Sequence, residues 1–184
     1  MGDRGPLTFR AMEALERALR RRAPMWVLRL AYRLGYIALR PWWFLTRPHT
    51  LGVKAVVRCG DDVLLVRHTY VRREWWDLPG GFLRPGEDAE PALLRELVEE
   101  LGVRPFATRM IARGPRIADH KREILTAYAA DVDDRQVVPN AAEIGEARWF
   151  GRRALPERTT PLARRMVARA YWELWDDEAE LARP

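Results

Sequence analysis

The sequence has almost no cysteine: Cys59 is the only one in 184 residues. A single thiol excludes a disulfide within the chain, and such sparing use of cysteine is typical of proteins from a reducing cytoplasm. The first residues also lack the continuous apolar stretch and the small-residue cleavage site of a secretory signal, so we expect none. These absences favour a cytoplasmic protein.

Long apolar runs without charge are missing as well. The best candidate, residues 24–46, is long enough to cross a bilayer but contains three arginines and two prolines. One arginine at the centre of a span costs about 2.5–3.5 kcal/mol on insertion scales. We therefore predict that this segment does not span a membrane.

Acidic residues are scarce at the start of the chain. The first 50 residues hold ten arginines against three acidic side chains, whereas residues 51–184 hold 22 lysines and arginines against 23 acids. The net charge of +6 therefore belongs to the N-terminal part. We divide the chain into a basic, aromatic-rich helical arm, residues 1–49, and a second domain, residues 50–184, which is long enough to bury a core of its own.

The arm is predicted to contain two helices, residues 8–22 and 25–40. The second helix places arginines on one face and large apolar side chains over much of the rest, and the aromatic segment PWWFLTRP follows it. Two interpretations remain open. The arm either lies on an anionic membrane surface, or packs its aromatic face on its own domain or on a second subunit in a homodimer.

The second domain mixes strands and helices. The segments GVKAVVR and VLLVRH, joined by a turn at residues 59–62, predict a β-hairpin. Residues 105–114 and 124–132 are predicted as strands with a loop at 118–123 between them, and residues 146–150 as a short strand. A helix is predicted within residues 154–175, and the acidic last ten residues are expected to fray.

The most informative stretch is GGFLRPGEDAEPALLRELVEELGV, residues 80–103. Its second half carries an apolar stripe at helical spacing. Glu96, Glu99 and Glu100 stand together on roughly the opposite face, where like charges repel by about 0.2–0.5 kcal/mol per pair. Because carboxylate oxygens are the ligands that Mg²⁺ and Mn²⁺ prefer, this crowding predicts a divalent-metal site.

A glycine-containing loop leads into this helix. We expect Asp88 to cap the helix and Gly102 to end it in the left-handed conformation. Gly80 and Gly81 allow the loop backbone to approach a ligand closely. Together with Arg95 on the helix, the loop outlines a site for a diphosphate and a metal ion.

At these residues the sequence resembles the Nudix hydrolase family. All the fixed positions of the Nudix box are matched: Gly81, Glu87, Arg95, Glu96, Leu97, Glu99, Glu100, Gly102 and Val103. The resemblance extends from about Gly52 to Trp175. It implies an α/β fold, a Nudix-type α/β/α sandwich with a mixed sheet, here with an N-terminal helical extension. It also implies hydrolysis of a nucleoside diphosphate linked to another moiety, which releases a nucleoside monophosphate.

The resemblance also implies roles for box residues, with Mg²⁺ or Mn²⁺ as the cofactor. The expected metal ligands are the side chains of Glu96, Glu99 and Glu100 and the carbonyl of Gly80. Glu96, Glu99 and Arg95 are expected to be catalytic. One glutamate would hold the attacking water, while Arg95 would orient a glutamate through a bidentate pair with Glu87 or Glu99.

Other residues are predicted to touch the substrate or to accept a proton. The predicted substrate contacts are Gly81, Glu87, Lys121, Arg122 and Trp76. Lys121 and Arg122 either face the phosphates or belong to a solvated loop, and Trp76 either stacks on a nucleobase or packs beneath the loop. Candidate accessory bases are Asp131 and Glu143, for which a solvated surface position is the alternative.

The sequence leaves the group attached to the diphosphate open. ADP-ribose pyrophosphatases of this family tend to carry a proline where this chain has Asp119, and diadenosine polyphosphate hydrolases a tyrosine where it has His120 and Lys121. We therefore expect a nucleotide-type small-molecule substrate without naming it. A Nudix-fold module that binds a ligand or a membrane without turnover and an RNA 5′-end pyrophosphohydrolase remain as alternatives, although nucleic acid is the less expected partner because no RNA-binding signature is present.

Overall fold

A five-stranded sheet forms the centre of the molecule in the computed structural model, which describes residues 24–70 and 73–181 and side chains as far as Trp172. The strands are β1 (His49–Cys59), β2 (Asp62–His68), β3 (Ala107–Ala118), β4 (Lys121–Asp131) and β5 (Ile144–Gly151). Their spatial order is β3-β4-β1-β2-β5. β1 and β4 run parallel and the other neighbours run antiparallel, so the predicted mixed sheet and the β1–β2 hairpin are confirmed.

Three helices accompany the sheet within the described part of the chain: α1 (Met25–Thr46), α2 (Ala89–Leu101) and α3 (Pro161–Leu181). α2 covers one face of the sheet and α3 the other. Alternate residues of β1 serve the two layers, with Val53, Ala55 and Val57 in the core beside α2 and Val56 in the core beside α3. The predicted α/β/α sandwich is confirmed.

The apolar stripe of α2 is the part of the sequence that fixes this helix on the sheet. Leu93, Leu97 and Leu101 are fully buried against β1 and β2. Each such leucine contributes about 1.5–3 kcal/mol relative to an exposed position. Gly102 ends α2 with φ 68°, as predicted. Asp88 stands at the cap position, but its side chain makes no capping hydrogen bond. Pro91, at the third helical position, removes one of the two N–H groups from which such a side chain can accept.

α1 is longer than predicted. We expected the helix to end at residue 40, but it continues through Pro41 to Thr46. Pro41 has no N–H to donate to the carbonyl of Ile37, four residues earlier. Because Pro41 is exposed, that carbonyl can face solvent. Beyond it, Trp43 packs on Tyr36 with ring centroids 5.6 Å apart, a contact that holds the last turn. The predicted helix 8–22 lies outside the described residues, and the division of the chain at residue 50 stays a prediction.

None of the helices in the described ranges is long and apolar enough to span a membrane, in agreement with the sequence-based expectation for residues 24–46.

The predicted loop at residues 118–123 is wrong. β3 and β4 form a continuous hairpin, with Ala118 paired to Lys121 and only two residues in the turn. Asp119 and His120 both adopt positive φ, 48° and 67°, which is the conformation of a tight hairpin turn. The sequence signal was missed because these turn residues are not the usual asparagine and glycine.

The C-terminal helix also differs from the prediction. α3 starts at Pro161, and its backbone is helical to Leu181, beyond the predicted limit of residue 175. The fraying of the last ten residues stays a prediction. Glutamate, alanine and leucine dominate the end of this segment, and all three favour helix.

Candidate active site

The loop that precedes α2 is bonded to the edge of β1. The backbone amides of Val53 and Ala55 donate to the carbonyl oxygens of Gly81, at 2.9 Å, and Pro79, at 3.0 Å. Between these bonds, Gly80 has φ 131°, and a Cβ at this position would lie 2.3 Å from the Val53 carbonyl oxygen. Only glycine fits there, so the loop is held against the sheet in one conformation.

Two glycines bring the loop close to carboxylates of α2. The Gly80 amide donates to Glu100 Oε2 at 3.0 Å. A Cβ at Gly81 would lie 2.5–2.7 Å from the carboxyl atoms of Glu96. The predicted pairing of loop and helix is therefore present as direct contacts.

Glu100 is the most buried of the three glutamates, with 3% of its surface exposed, whereas the Glu99 side chain is about half exposed. Burial raises the pKa of Glu100 to about 8, and the nearby Lys54 charge opposes this only in part. Burial also raises the pKa of Glu96. Carboxyl groups in such positions are costly to ionise unless a cation accompanies them.

Arg95 connects the glutamates. Its Nε and one terminal nitrogen donate to the two carboxylate oxygens of Glu87, at 2.9 and 2.8 Å. The other terminal nitrogen donates to Glu96 at 2.7 Å and approaches Glu99 at 3.4 Å. The Arg95 hydrogen bonds lower the pKa of Glu87, and those same bonds raise the pKa of Arg95. Of the two partners proposed for the bidentate pair, the structure has Glu87.

These groups line a cleft of about 780 Å³. Glu96, Glu99 and Glu100 all reach it, together with Gly80 and Gly81. The glutamates are therefore not splayed away from the cleft into open solvent.

The opposite side of the cleft is formed by α1. The α1 side chains that line it are mostly apolar or aromatic: Leu28, Ala31, Tyr32, Tyr36, Leu39 and Trp43. The Tyr32 hydroxyl donates to Glu143 at 3.2 Å, and its ring stacks on Tyr70 with centroids 5.8 Å apart. One face of the arm is thus packed on its own domain, next to the predicted catalytic residues.

Glu143 and Lys121 also lie in the cleft. The Lys121 ammonium sits 4.0 Å from the ring centroid of Trp43 and 4.4 Å from that of Phe82. Burial lowers the pKa of Lys121, but its position between two aromatic faces favours the charged form. Arg122 does not reach the cleft lining, because successive residues of β4 point to opposite faces of the sheet.

Two further predicted site residues lie elsewhere. Trp76 is buried in the core beside α3, against Phe150 and Arg67, while Trp75 lines the cleft instead. Asp131 forms a bidentate ion pair with Arg58, at 2.7 and 2.8 Å, outside the cleft lining.

A buried lysine–aspartate pair in the cleft was not predicted from the sequence. Lys54 donates to Asp77 at 3.0 Å and to the Leu78 carbonyl at 2.6 Å, and Thr160 donates to Asp77 at 2.8 Å. His68 lies beside this pair, and burial lowers its pKa to about 4. A lysine inside the otherwise apolar run GVKAVV was the available signal, since a lone charge in a central strand needs a buried partner.

The donor chemistry of the cleft fits a hard divalent cation, because the candidate ligands are carboxylate and carbonyl oxygens. Within the described residues, however, no three acidic, histidine or cysteine side chains come close enough together to hold a metal ion as they stand. Arg95 instead occupies oxygens of Glu87 and Glu96. A Mg²⁺ ion held by one or two of these carboxylates would complete its coordination with water or with phosphate oxygens of the substrate.

The family model for the NUDIX domain matches residues 48–170. An NAD-capped RNA hydrolase, NudC, from Pseudomonas syringae is 35% identical over 121 residues, which are 65% of this chain and 41% of that protein. A MutT Nudix hydrolase from Burkholderia pseudomallei superposes with a TM-score of 0.60 at 22% identity, covering 66% of this chain and 97% of its own. A MutT/Nudix family protein from Enterococcus faecalis gives 0.61 at 19% identity, covering 76% and 69%. The chain thus spans less than half the length of the NudC protein.

Proposed function

Because the chain belongs to the NUDIX domain family, we propose that it is a Mg²⁺- or Mn²⁺-dependent pyrophosphohydrolase of nucleoside diphosphates linked to another group. The products would be a nucleoside monophosphate and a phosphorylated second group. The observation that carries this proposal is the arrangement of the box: Glu96, Glu99 and Glu100 line one cleft, and Arg95 and two loop glycines fix their positions.

Glu96, Glu99, Glu100 and the Gly80 carbonyl would hold the cation. When bound, a divalent cation neutralises phosphate charge and lowers the pKa of water, the two requirements for attack on an anionic diphosphate. The burial of Glu100 supports this assignment, since a cation would offset the cost of ionising a carboxyl whose pKa is raised to about 8.

The protein's own side chains supply position and charge. Arg95 holds Glu87 and Glu96 in fixed orientations through its planar guanidinium, and the Gly80 amide holds Glu100. Lys121 presents a positive charge within the same cleft, where it can contact phosphate oxygens.

We propose that the proton of the attacking water is accepted either by a glutamate of the box or by Glu143. Glu96 or Glu99 lies within the box itself, whereas Glu143 reaches the cleft from the segment before β5. Tyr32 and Asn140 both donate to Oε1 of Glu143, at 3.2 and 2.9 Å, and these two hydrogen bonds orient its carboxylate. Of the two accessory candidates, Glu143 has the better geometry, since Asp131 is paired with Arg58.

The test is hydrolysis of a nucleotide library in the presence of Mg²⁺ or Mn²⁺. A phosphatase added to the assay releases phosphate from the monophosphate products, and this phosphate is measured. We expect turnover of at least one diphosphate-linked nucleotide and its loss in Glu100→Gln. Absence of metal-dependent turnover across the library would favour the alternative, a Nudix-fold module that binds without catalysis.

A second candidate function is hydrolysis at the 5′ end of RNA. The 35% identity to a protein described as an NAD-capped RNA hydrolase supports it, and the chemistry at the diphosphate is the same. Parallel assays on free NAD and on NAD-capped RNA distinguish the two, because a substrate that requires the RNA body will be cleaved far faster in the capped form.

For partners, we propose a nucleotide-type small molecule in the cleft and a cytoplasmic location. The exposed side of α1 leaves two proposals for a further partner, a second subunit in a homodimer or the surface of a membrane. The observations on α1 favour the membrane.

A further inference from the structure

The side of α1 turned away from the cleft is apolar and exposed. Four large side chains recur along it at helical spacing, Trp26, Leu30, Leu34 and Ile37, with 45–66% of their surface exposed. Leu45 continues the stripe and is 78% exposed. The other face of the same helix is occupied, because Leu28, Tyr32 and Trp43 line the cleft. α1 therefore has a second apolar face that is largely exposed. His120 of the β3–β4 turn lies at its C-terminal end, where the His120 ring centroid is 5.3 Å from that of Phe44.

Arginines border this apolar stripe. At about 100° per residue, Arg33 and Arg40 fall between the exposed stripe and the cleft face, and Arg47 follows at the end of the helix. All three are exposed, and no ion pair to them is found among the described residues. α1 itself contains no acidic residue. The exposed face is thus both apolar and uniformly positive.

We infer that this face of α1 docks on an anionic phospholipid surface, with the helix lying flat in the interface. At about 1.5 Å per residue the 22-residue helix is about 33 Å long, which gives a continuous strip of contact. The apolar stripe would enter the boundary between headgroups and acyl chains, and the arginines would meet lipid phosphates. Trp26, at the N-terminal end of the stripe, is a residue type that membrane interfaces favour.

Charge decides between lipid and protein occupants. In a twofold dimer the same surface patch meets itself, so the arginine borders of two α1 helices would be brought together. Residues 1–23 of the same chain hold six arginines and three acidic residues, so they too are basic. Like charges oppose both of these contacts, whereas an anionic lipid surface is complementary to the face.

The test is sedimentation of the full chain with vesicles of phosphatidylcholine alone and with phosphatidylglycerol added. We expect binding to the anionic vesicles only, weakened by added salt. Leu30→Glu/Leu34→Glu should abolish sedimentation. Arg33→Gln/Arg40→Gln should weaken the partition coefficient by about tenfold or more.

The matched control is Phe106→Glu/Val138→Glu, which places the same two charges at exposed apolar positions away from α1. Phe106 and Val138 are 66% and 67% exposed. Phe106 lies far from α1: its amide donates to the carbonyl of Asp131 at one end of β4, whereas Pro48, which follows α1, accepts from Arg122 at the other end of β4. This variant should sediment like the parent. Thermal unfolding and nucleotide turnover of every variant, measured without vesicles, check that the fold is retained.

Three results would overturn the proposal. One is failure of the parent chain to sediment with anionic vesicles. Another is equal sedimentation of the α1 variant and its control, which would assign binding to another segment such as residues 1–23. The third is a change from dimer to monomer in Leu30→Glu/Leu34→Glu by light scattering, which would assign the face to a second copy. None of these readouts depends on catalytic activity, so the outcome is independent of the proposed reaction.

Discussion

Two helices line the same cleft, and they use their sequence patterns in opposite ways. α2 buries its apolar stripe in the sheet and turns Arg95 and three glutamates to the cleft. α1 turns tyrosines, leucines and a tryptophan to the cleft and leaves a second apolar face exposed. The polar face of α2 carries groups that can act on a diphosphate, whereas the cleft face of α1 offers mainly surface for binding.

The comparison gives a kinetic expectation. Substitutions on α2 should lower kcat, because they remove groups that are proposed to act on the reacting diphosphate. Substitutions on the cleft face of α1 should mainly raise KM, because they remove contact with parts of the substrate that do not react. Mutants that reverse this pattern would break the comparison.

The largest effect is expected for Glu100→Gln. This change keeps an oxygen that can accept from the Gly80 amide but removes the charge, so metal-dependent kcat should fall by about 10²–10³-fold. Because burial raises the pKa of Glu100, the neutral side chain should not lower the unfolding temperature of the metal-free protein. Turnover against Mg²⁺ concentration and a thermal melt measure both effects. Full activity in the variant would remove Glu100 from the site.

His68 gives the next effect and lies on the α1 side of the cleft, where its ring is 5.5 Å from Tyr70. Burial and the Lys54 charge lower the pKa of His68 to about 4. Between about pH 6.5 and pH 4 the unfolded chain binds a proton that the folded protein does not, so stability falls as pH falls, by up to about 3 kcal/mol. Above about pH 6.5 the contribution of His68 to the free energy of unfolding no longer changes with pH.

Urea unfolding of the parent and of His68→Gln, at about pH 7 and about pH 4, tests this sign. The parent should lose about 3 kcal/mol more than the variant on acidification. Equal losses would mean that His68 is solvated, and that the α1 side of the cleft is more open than described.

The sequence predicted α2 and the placement of its three glutamates on one face because a single local stretch carries these patterns. The apolar stripe of residues 93–101 faces the sheet, Gly102 ends the helix, and Arg95 pairs with Glu87 as one of two proposed partners. The Arg95–Glu87 pair and the Gly80–Glu100 hydrogen bond join residues within about twenty positions of each other.

The rest depended on long-range contacts that local patterns do not encode. The packing of α1 on the sheet brings Tyr32 to Glu143 and Trp43 to Lys121, whose other side faces Phe82. Neither contact can be read from the local sequence. Trp75 and Trp76 are adjacent aromatics, and the sequence could not tell which one faces the cleft. The turn at Asp119 and His120 was missed because its residues tolerate positive φ without being the usual ones.

Gly81→Ala should have a smaller effect than removal of a glutamate. Gly81 does not have positive φ, so alanine is allowed by the backbone, but the new Cβ must displace the Glu96 carboxylate. A displacement of about 1 Å in a catalytic group can cost up to about a hundredfold, and we expect a fall in kcat of about ten- to a hundredfold. Gly114→Ala is the control, since a Cβ there meets nothing within 4 Å. A pure KM effect for Gly81→Ala would contradict the role given to Glu96.

The smallest effect, and the sharpest test of the α1 side, comes from two adjacent tryptophans. Trp43 lines the cleft and packs on Lys121, whereas Trp42 is 62% exposed and outside the cleft lining. If α1 serves substrate binding, Trp43→Ala should raise KM by about tenfold, the amount expected for loss of one aromatic contact with a base, and change kcat little. Trp42→Ala, which removes a side chain of the same size from the same helix, should leave both constants unchanged. A fall in kcat alone for Trp43→Ala would instead place α1 in the chemistry, through the Lys121 ammonium that Trp43 holds in the cleft.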